Sequence, residues 1–253
     1  MSDAMDAEFD TVAEWTAQVA MDLGPDYYVP AGCRGSGSPA ALDWLIDGMQ
    51  LAPGATLLDC GAGVGGPAAY AARSRGTLPV LVEPEPGACR AATRLFDYPV
   101  LQAAGSTLPI ADSSVDAAWA LGVLCTTPQQ QELLDELRRA VRPGGRIGLL
   151  VFVAQRDMSS SESEGNHFPR SSRLLGMVER ASLRLEQWLS TANLPEMPAT
   201  WTEQMDEIDR ELNERYGDTE AWQVSERQSS RIGALLEEEA LTGALLVLSR
   251  GAY

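Results

Sequence analysis

Leu57-Leu58-Asp59-Cys60-Gly61-Ala62-Gly63-Val64-Gly65-Gly66-Pro67 decides the fold. A short apolar run enters three alternating glycines, and Pro67 then stands near the start of a helix. Glycine permits positive φ and lets backbone N–H groups approach a ligand closely. The helix N-terminus beyond it carries partial positive charge. About twenty residues on, a second apolar run ends at Glu83, where a carboxylate can accept both hydroxyls of a ribose at the carboxyl edge of a sheet. Gly61, Gly63 and Gly66 fit the dinucleotide pattern GxGxxG; Gly61, Gly63 and Gly65 after Asp59 fit the loop D-x-G-x-G-x-G. Both readings stay open on spacing alone, as does an ordinary tight turn between strand and helix.

Outward from this stretch, strands alternate with helices. Strands are expected at 56–60, 78–83, 100–103, 117–123 and 147–153, and helices at 67–75, 87–96 and 128–141, the last closed by Arg142-Pro143-Gly144-Gly145. Strands alternating with helices of this length give right-handed βαβ units, a parallel sheet and the α/β class. Upstream, Phe9, Val12, Trp15, Val19 and Leu23 mark a helix over 8–24, Pro25 to Pro39 reads as a loop, and Ser38-Pro39 opens a helix to about Gln50. Downstream, 157–168 reads as a polar loop and 171–181 as a helix. Residues 183–189 read as extended, Trp201 to Tyr216 and 220–241 as two helices, and 244–249 as a closing strand.

Composition narrows the function. All 19 basic residues are arginine, against 36 acids, for a net charge of −17. That field disfavours a nucleic-acid partner, and the missing lysine excludes Schiff-base chemistry and a phosphate-loop lysine. Cys33, Cys60, Cys89 and Cys125 show no zinc spacing, so no metal is expected, and they read as buried thiols of a reducing cytoplasm. The acidic start Met1 to Asp10 is unlike a secretory signal, and no apolar run reaches membrane-spanning length.

Four stretches, taken in order, resemble the class I S-adenosylmethionine-dependent methyltransferases of the small-molecule, quinone-biosynthesis and natural-product type. They are 58–65, Leu81-Val82-Glu83-Pro84, 108–116 (Leu-Pro-Ile-Ala-Asp-Ser-Ser-Val-Asp) and 137–145 (Leu-Arg-Arg-Ala-Val-Arg-Pro-Gly-Gly). The resemblance covers about residues 40–155. It implies a Rossmann-like, mostly parallel seven-stranded sheet of order 3-2-1-4-5-7-6 with the last strand antiparallel, helices on both faces and a helical lid. It also implies one domain over 1–253: an N-terminal helix and lid loop (1–39), a cofactor core (40–155), and an acceptor lid with the last two strands (156–253).

The cofactor implied is S-adenosylmethionine, and the partner a small-molecule acceptor. Gly61, Ala62 and Gly63 would line its methionine part, within the loop that Gly65 closes. Asp59 would support the ammonium, Glu83 would hold the ribose, Pro84 would pack near adenine, and Leu121 would offer backbone. Two positions depart from the family pattern. Ala104 stands where an acid often meets adenine, leaving that contact to Gly105 and Ser106, and Cys125 stands where a histidine is frequent.

His167 is the one histidine, so its ordinary pKa suits a general base near neutrality; Tyr28 is the second candidate. Arg34 is read either as a clamp for a substrate carboxylate or as a solvated loop residue. Tyr27, Tyr28, Trp188, Trp201 and Trp222 read as packing of lid and core, with a place in the acceptor pocket the alternative. The leading expectation is methyl transfer to a small molecule, with oxygen as the atom methylated in secondary metabolism. The alternatives are a methyltransferase fold without methyl transfer, as a cyclase or binding protein, and a nicotinamide- or flavin-dependent oxidoreductase.

Overall fold

The computed structural model describes residues 7–252, with side chains from Phe9 onward. Most of the acidic stretch Met1 to Asp10 therefore lies outside the described residues. Seven strands form one sheet: β1 (Thr56–Cys60), β2 (Leu78–Glu83), β3 (Val100–Gln102), β4 (Val115–Leu121), β5 (Val141–Ala154), β6 (Leu183–Ser190) and β7 (Leu241–Arg250). Their order is β3-β2-β1-β4-β5-β7-β6, and β7 runs antiparallel to both neighbours. This is the topology that the ordered motifs imply.

Period-two alternation sorts the core onto two faces. Leu57, Trp119, Leu245 and Val247 point to one face, and Leu58, Ala118, Leu246 and Leu248 to the other. The first face is covered by α1 (Ala13–Leu23), α2 (Tyr28–Gly32), α3 (Pro39–Gly48), α4 (Gly66–Arg75) and α5 (Pro86–Leu95). The second is covered by α6 (Gln130–Ala140) and, after the short α7 (Ser160–Ser163), by α8 (Ser171–Arg180). Two long helices, α9 (Ala199–Tyr216) and α10 (Glu220–Glu237), lie between β6 and β7 in sequence and pack over the first face through Ile208, Leu212 and Trp222.

Four local expectations need correction. The segment 25–39 is not all loop: Pro25–Tyr27 is a 3₁₀ turn and α2 follows, because Pro25 presets the φ of a first helical position. Arg142-Pro143-Gly144-Gly145 does not close a helix but belongs to β5. Val115 pairs with Val141 and Ala117 with Arg146, so these four residues bulge out of register. The polar segment 157–168 contains α7, started by a reciprocal cap between Ser159 and Glu162. Helix α10 stops at Glu237, and Leu241 already opens β7. Among the described residues no helix is long and apolar enough to cross a membrane.

Candidate cofactor and acceptor site

The glycine turn is built as its sequence requires. Gly61, Gly63 and Gly65 have φ of +71°, +52° and +88°, a region that L side chains avoid. A Cβ on Gly61 would collide with Val123, one on Gly65 would come within 2.9 Å of Leu81, and one on Gly63 would meet nothing within 4 Å. The turn is thus packed beneath and open above Gly63. The Gly61 and Ala62 N–H groups donate to the Val82 carbonyl at 2.7 and 3.1 Å, tying the turn to the end of β2. From there Glu83 reaches back: its Oε2 accepts from the Gly63 N–H at 2.8 Å and its Oε1 from the Glu85 N–H at 3.1 Å. Burial pushes the Glu83 carboxyl up to about 7, against the pull of those two N–H groups.

Asp59 lies under the turn and is 1% exposed. Burial pushes its carboxyl up to about 7, opposed by the neighbouring Trp119 indole and helped by the charge of Glu83. Its Oδ2 has no hydrogen-bond partner among the described residues. A buried carboxylate oxygen without a partner is costly unless a ligand or water answers it.

Above the turn opens a crevice of about 430 Å³. Gly61, Gly63, Glu83, Pro84 and Leu121 line it, as do Arg34 and Cys125. Asp59, Ala62 and Gly65 are buried and do not line it, and neither do Gly105 and Ser106. A Cβ on Gly105 would come within 2.7 Å of Leu133 and 2.8 Å of Cys60, so that glycine answers to packing.

Neither candidate base reaches the crevice. His167 is exposed and lines an adjoining polar cavity with Arg156, Arg170 and Arg173, which shares Asn166 and Phe168 with the crevice. The residue is held by its backbone: its N–H donates to the Cys125 carbonyl at 2.7 Å, and its own carbonyl accepts from Gln130 at 2.6 Å. Tyr28 opens α2 and packs on the core, and it does not line the crevice.

The lid aromatics likewise join helices. Tyr27 donates to Glu207, Trp201 meets Tyr70 edge-on, and Trp222 lies under Arg34 at 5.2 Å. Arg34 also pairs with Asp209 at 3.0 Å and Glu226 at 3.2 Å, so it clamps α9 and α10 to the chain after α2. The Cys125 thiol is pushed up to about 12 by burial, and its Sγ faces the Phe152 backbone. That thiol is not a nucleophile at neutral pH.

The expected lids, 1–39 and 156–253, contain the roof without singling out its residues. It is formed by Phe9, Val12, Ala13 and Thr16 from the N-terminal segment and by Gln228, Ser229, Ile232 and Leu236 from α10, with Phe152 and Phe168 at the side. The apolar spacing of 8–24 hinted at the first group, but no motif marks the second.

The turn, the carboxylate ending β2 and the strand order are those of the class I methyltransferase fold. Residues 58–149 match the family described as "Methyltransferase domain". That segment and the sheet around it are similar to those of the class I S-adenosylmethionine-dependent methyltransferases. It is 30% identical over 165 residues to Methyltransferase GfsG of Streptomyces halstedii, a match spanning 56% of this chain and 57% of that protein. Among solved structures it resembles the [4+2]-cyclase SpnF, with a TM-score of 0.67 and 20% identity over 84% of this chain and 80% of that one. It also resembles geranyl diphosphate C-methyltransferase from Streptomyces coelicolor A3(2), with a TM-score of 0.63 and 16% identity over 83% and 78% of the two chains. At those identities the shared property is the fold. The chain spans about half the length of the curated relatives it matches.

Proposed function

We propose that the crevice binds S-adenosylmethionine and directs its methyl group to a small-molecule acceptor. The observation that carries this reading is the pairing of an open glycine cradle at Gly63 with the Glu83 carboxylate on one crevice wall. The residues present fit the cofactor: Glu83 accepts from the ribose hydroxyls, Gly61 and Gly63 bring backbone against the amino-acid arm, and Asp59, buried beneath the turn and not on the crevice wall, supports the ammonium through a water on its unpartnered Oδ2. Pro84 and Ala88 offer apolar contact to adenine, and Gly105 and Ser106, outside the wall, have no part in this arrangement. When bound, the cofactor supplies a sulfonium methyl whose C–S bond breaks as the bond from the acceptor's electron pair to that carbon forms. The roof orients the acceptor and excludes water, the two contributions such a displacement needs most.

Deprotonation is not built in. Among the described residues the carboxylates on the wall are Glu83 and Glu85, both at the nucleoside end, and His167 and Tyr28 stand outside. The acceptor is therefore one that presents its electron pair without help from a protein base, whether at an oxygen that ionises readily or at carbon. Natural-product chemistry is the setting we favour, in line with GfsG and the geranyl diphosphate enzyme. The same lack of a base favours a second reading, a methyltransferase fold that binds the nucleoside without transferring methyl, as the cyclase relative's name suggests.

Titration with S-adenosylhomocysteine tests the shared core of both readings. Saturable binding, lost in Glu83→Ala, is expected; absence of binding overturns them, and stabilisation by NAD in its place would assign an oxidoreductase. Labelled S-adenosylmethionine with an acceptor panel then separates transfer from binding alone.

A further inference from the structure

The acceptor half of the crevice is apolar, walled by Phe152, Phe168, Ile232 and Leu236. Among the described residues, one buried polar atom in that wall is unanswered. Gln228 on α10 is 7% exposed, lines the crevice, and its Oε1 is buried without a hydrogen-bond partner. Buried polar atoms in folded proteins are almost always satisfied, and an amide in an otherwise greasy wall is answered by what fills the space. Two other polar side chains of the lining are engaged: Asn166 donates through Nδ2 to the Ser163 carbonyl at 3.1 Å, and Thr126 through Oγ1 to the Val123 carbonyl at 2.9 Å. Arg34 is held by two carboxylates.

We propose that Gln228 is a specificity-determining residue, its Oε1 accepting a hydrogen bond from a neutral hydroxyl or amide N–H on an otherwise apolar acceptor. The inference rests on the reading of the crevice as a cofactor and acceptor site. It adds the acceptor's chemical class: largely hydrocarbon, with one neutral donor placed to reach α10. A site built to pair with a donor rejects the analogue lacking it, because the protein's own polar atom is then buried alone.

The test uses the full chain saturated with S-adenosylhomocysteine and a matched pair of probes, 2-naphthol, which has a donor, and 2-methoxynaphthalene, which has none. The wild-type protein is expected to bind 2-naphthol about tenfold more tightly, the size of one neutral hydrogen bond. Gln228→Leu is expected to remove that preference by weakening 2-naphthol alone, while S-adenosylhomocysteine affinity stays put; Gln228→Glu, which keeps an acceptor oxygen, is expected to retain it. Equal wild-type affinity for the two probes overturns the proposal without reference to any variant, as does failure of 2-naphthol to bind the loaded protein. A preference that survives in Gln228→Leu overturns the assignment to this residue. Failure of S-adenosylhomocysteine itself to bind the wild type brings down the site reading as well, and that arm is read first.

Discussion

Glu83 and Asp59 are the two side chains on which the cofactor reading turns, and their burial gives it a pH signature. Both carboxyls are pushed up to about 7 in the folded protein, from ordinary values of 4.5 and 3.8. Between those ordinary values and about 7, the folded state holds protons that the unfolded chain has already released. Ligand-free stability should therefore be greatest at the acid end of that window, fall as pH rises through it, and level off above about 7. Cofactor binding should run the other way. A ribose hydroxyl donates to an ionised carboxylate, so S-adenosylhomocysteine affinity is expected to rise as pH passes about 7. Glu83→Gln should flatten much of that rise and weaken binding about tenfold, the scale of a hydrogen bond to a charged partner. Calorimetric titrations at pH 6 and 8 on wild type and variant check both expectations; a pH-independent affinity in the wild type would detach Glu83 from the ribose.

Elements are placed by close backbone approaches that only glycine allows. Helix α2 sits on the first turn of α4 where Gly32 and Gly66 meet: a Cβ on Gly66 would collide with the Gly32 backbone, and one on Gly32 would lie 2.7 Å from the Gly66 Cα. Neither partner is a side chain that can swing away. Gly66→Ala is therefore expected to cost about 2 kcal/mol, as overpacking does, read as a lowered Tm. Asp10 caps α5 by accepting from the Gly87 N–H, so Asp10→Ala is expected to cost about 1 kcal/mol. Neither contact was legible in the sequence, because each joins residues far apart in the chain. The sheet was legible: 56–153 alternates apolar runs with helical patterns, and the motifs at 58–65 and 81–84 mark where the ligand edge lies. That His167 and Tyr28 do not line the crevice, and that Gln228 to Leu236 do, were not legible for one reason. Nothing in local pattern says which way a loop residue's ring turns, or which of two long amphipathic helices lies over a crevice.

Over the whole molecule, the crevice is closed by its most distant parts. Phe9, Val12, Ala13 and Thr16 come from the first residues described, Gln228 to Leu236 from near the end, and the floor from the middle of the chain. The N-terminal segment is fastened from outside, by Asp10 at the start of α5 and by Arg90 with Glu14 at 3.0 Å; α9 and α10 are fastened through Arg34, and α9 again by Arg215 with Asp22. Most of these pairs are solvent-exposed, and such pairs each contribute little. The roof is thus held by weak outer contacts, and the ligand it covers should add the decisive inner ones. Saturation with S-adenosylhomocysteine is expected to slow amide hydrogen exchange in 9–16 and 228–236 together with 61–65. Helices α6 and α8, on the far face of the sheet, should stay unchanged. Slowing confined to 61–65 would mean that the roof stays open over a bound nucleoside, and water exclusion by these helices would then have to come from the acceptor's own arrival.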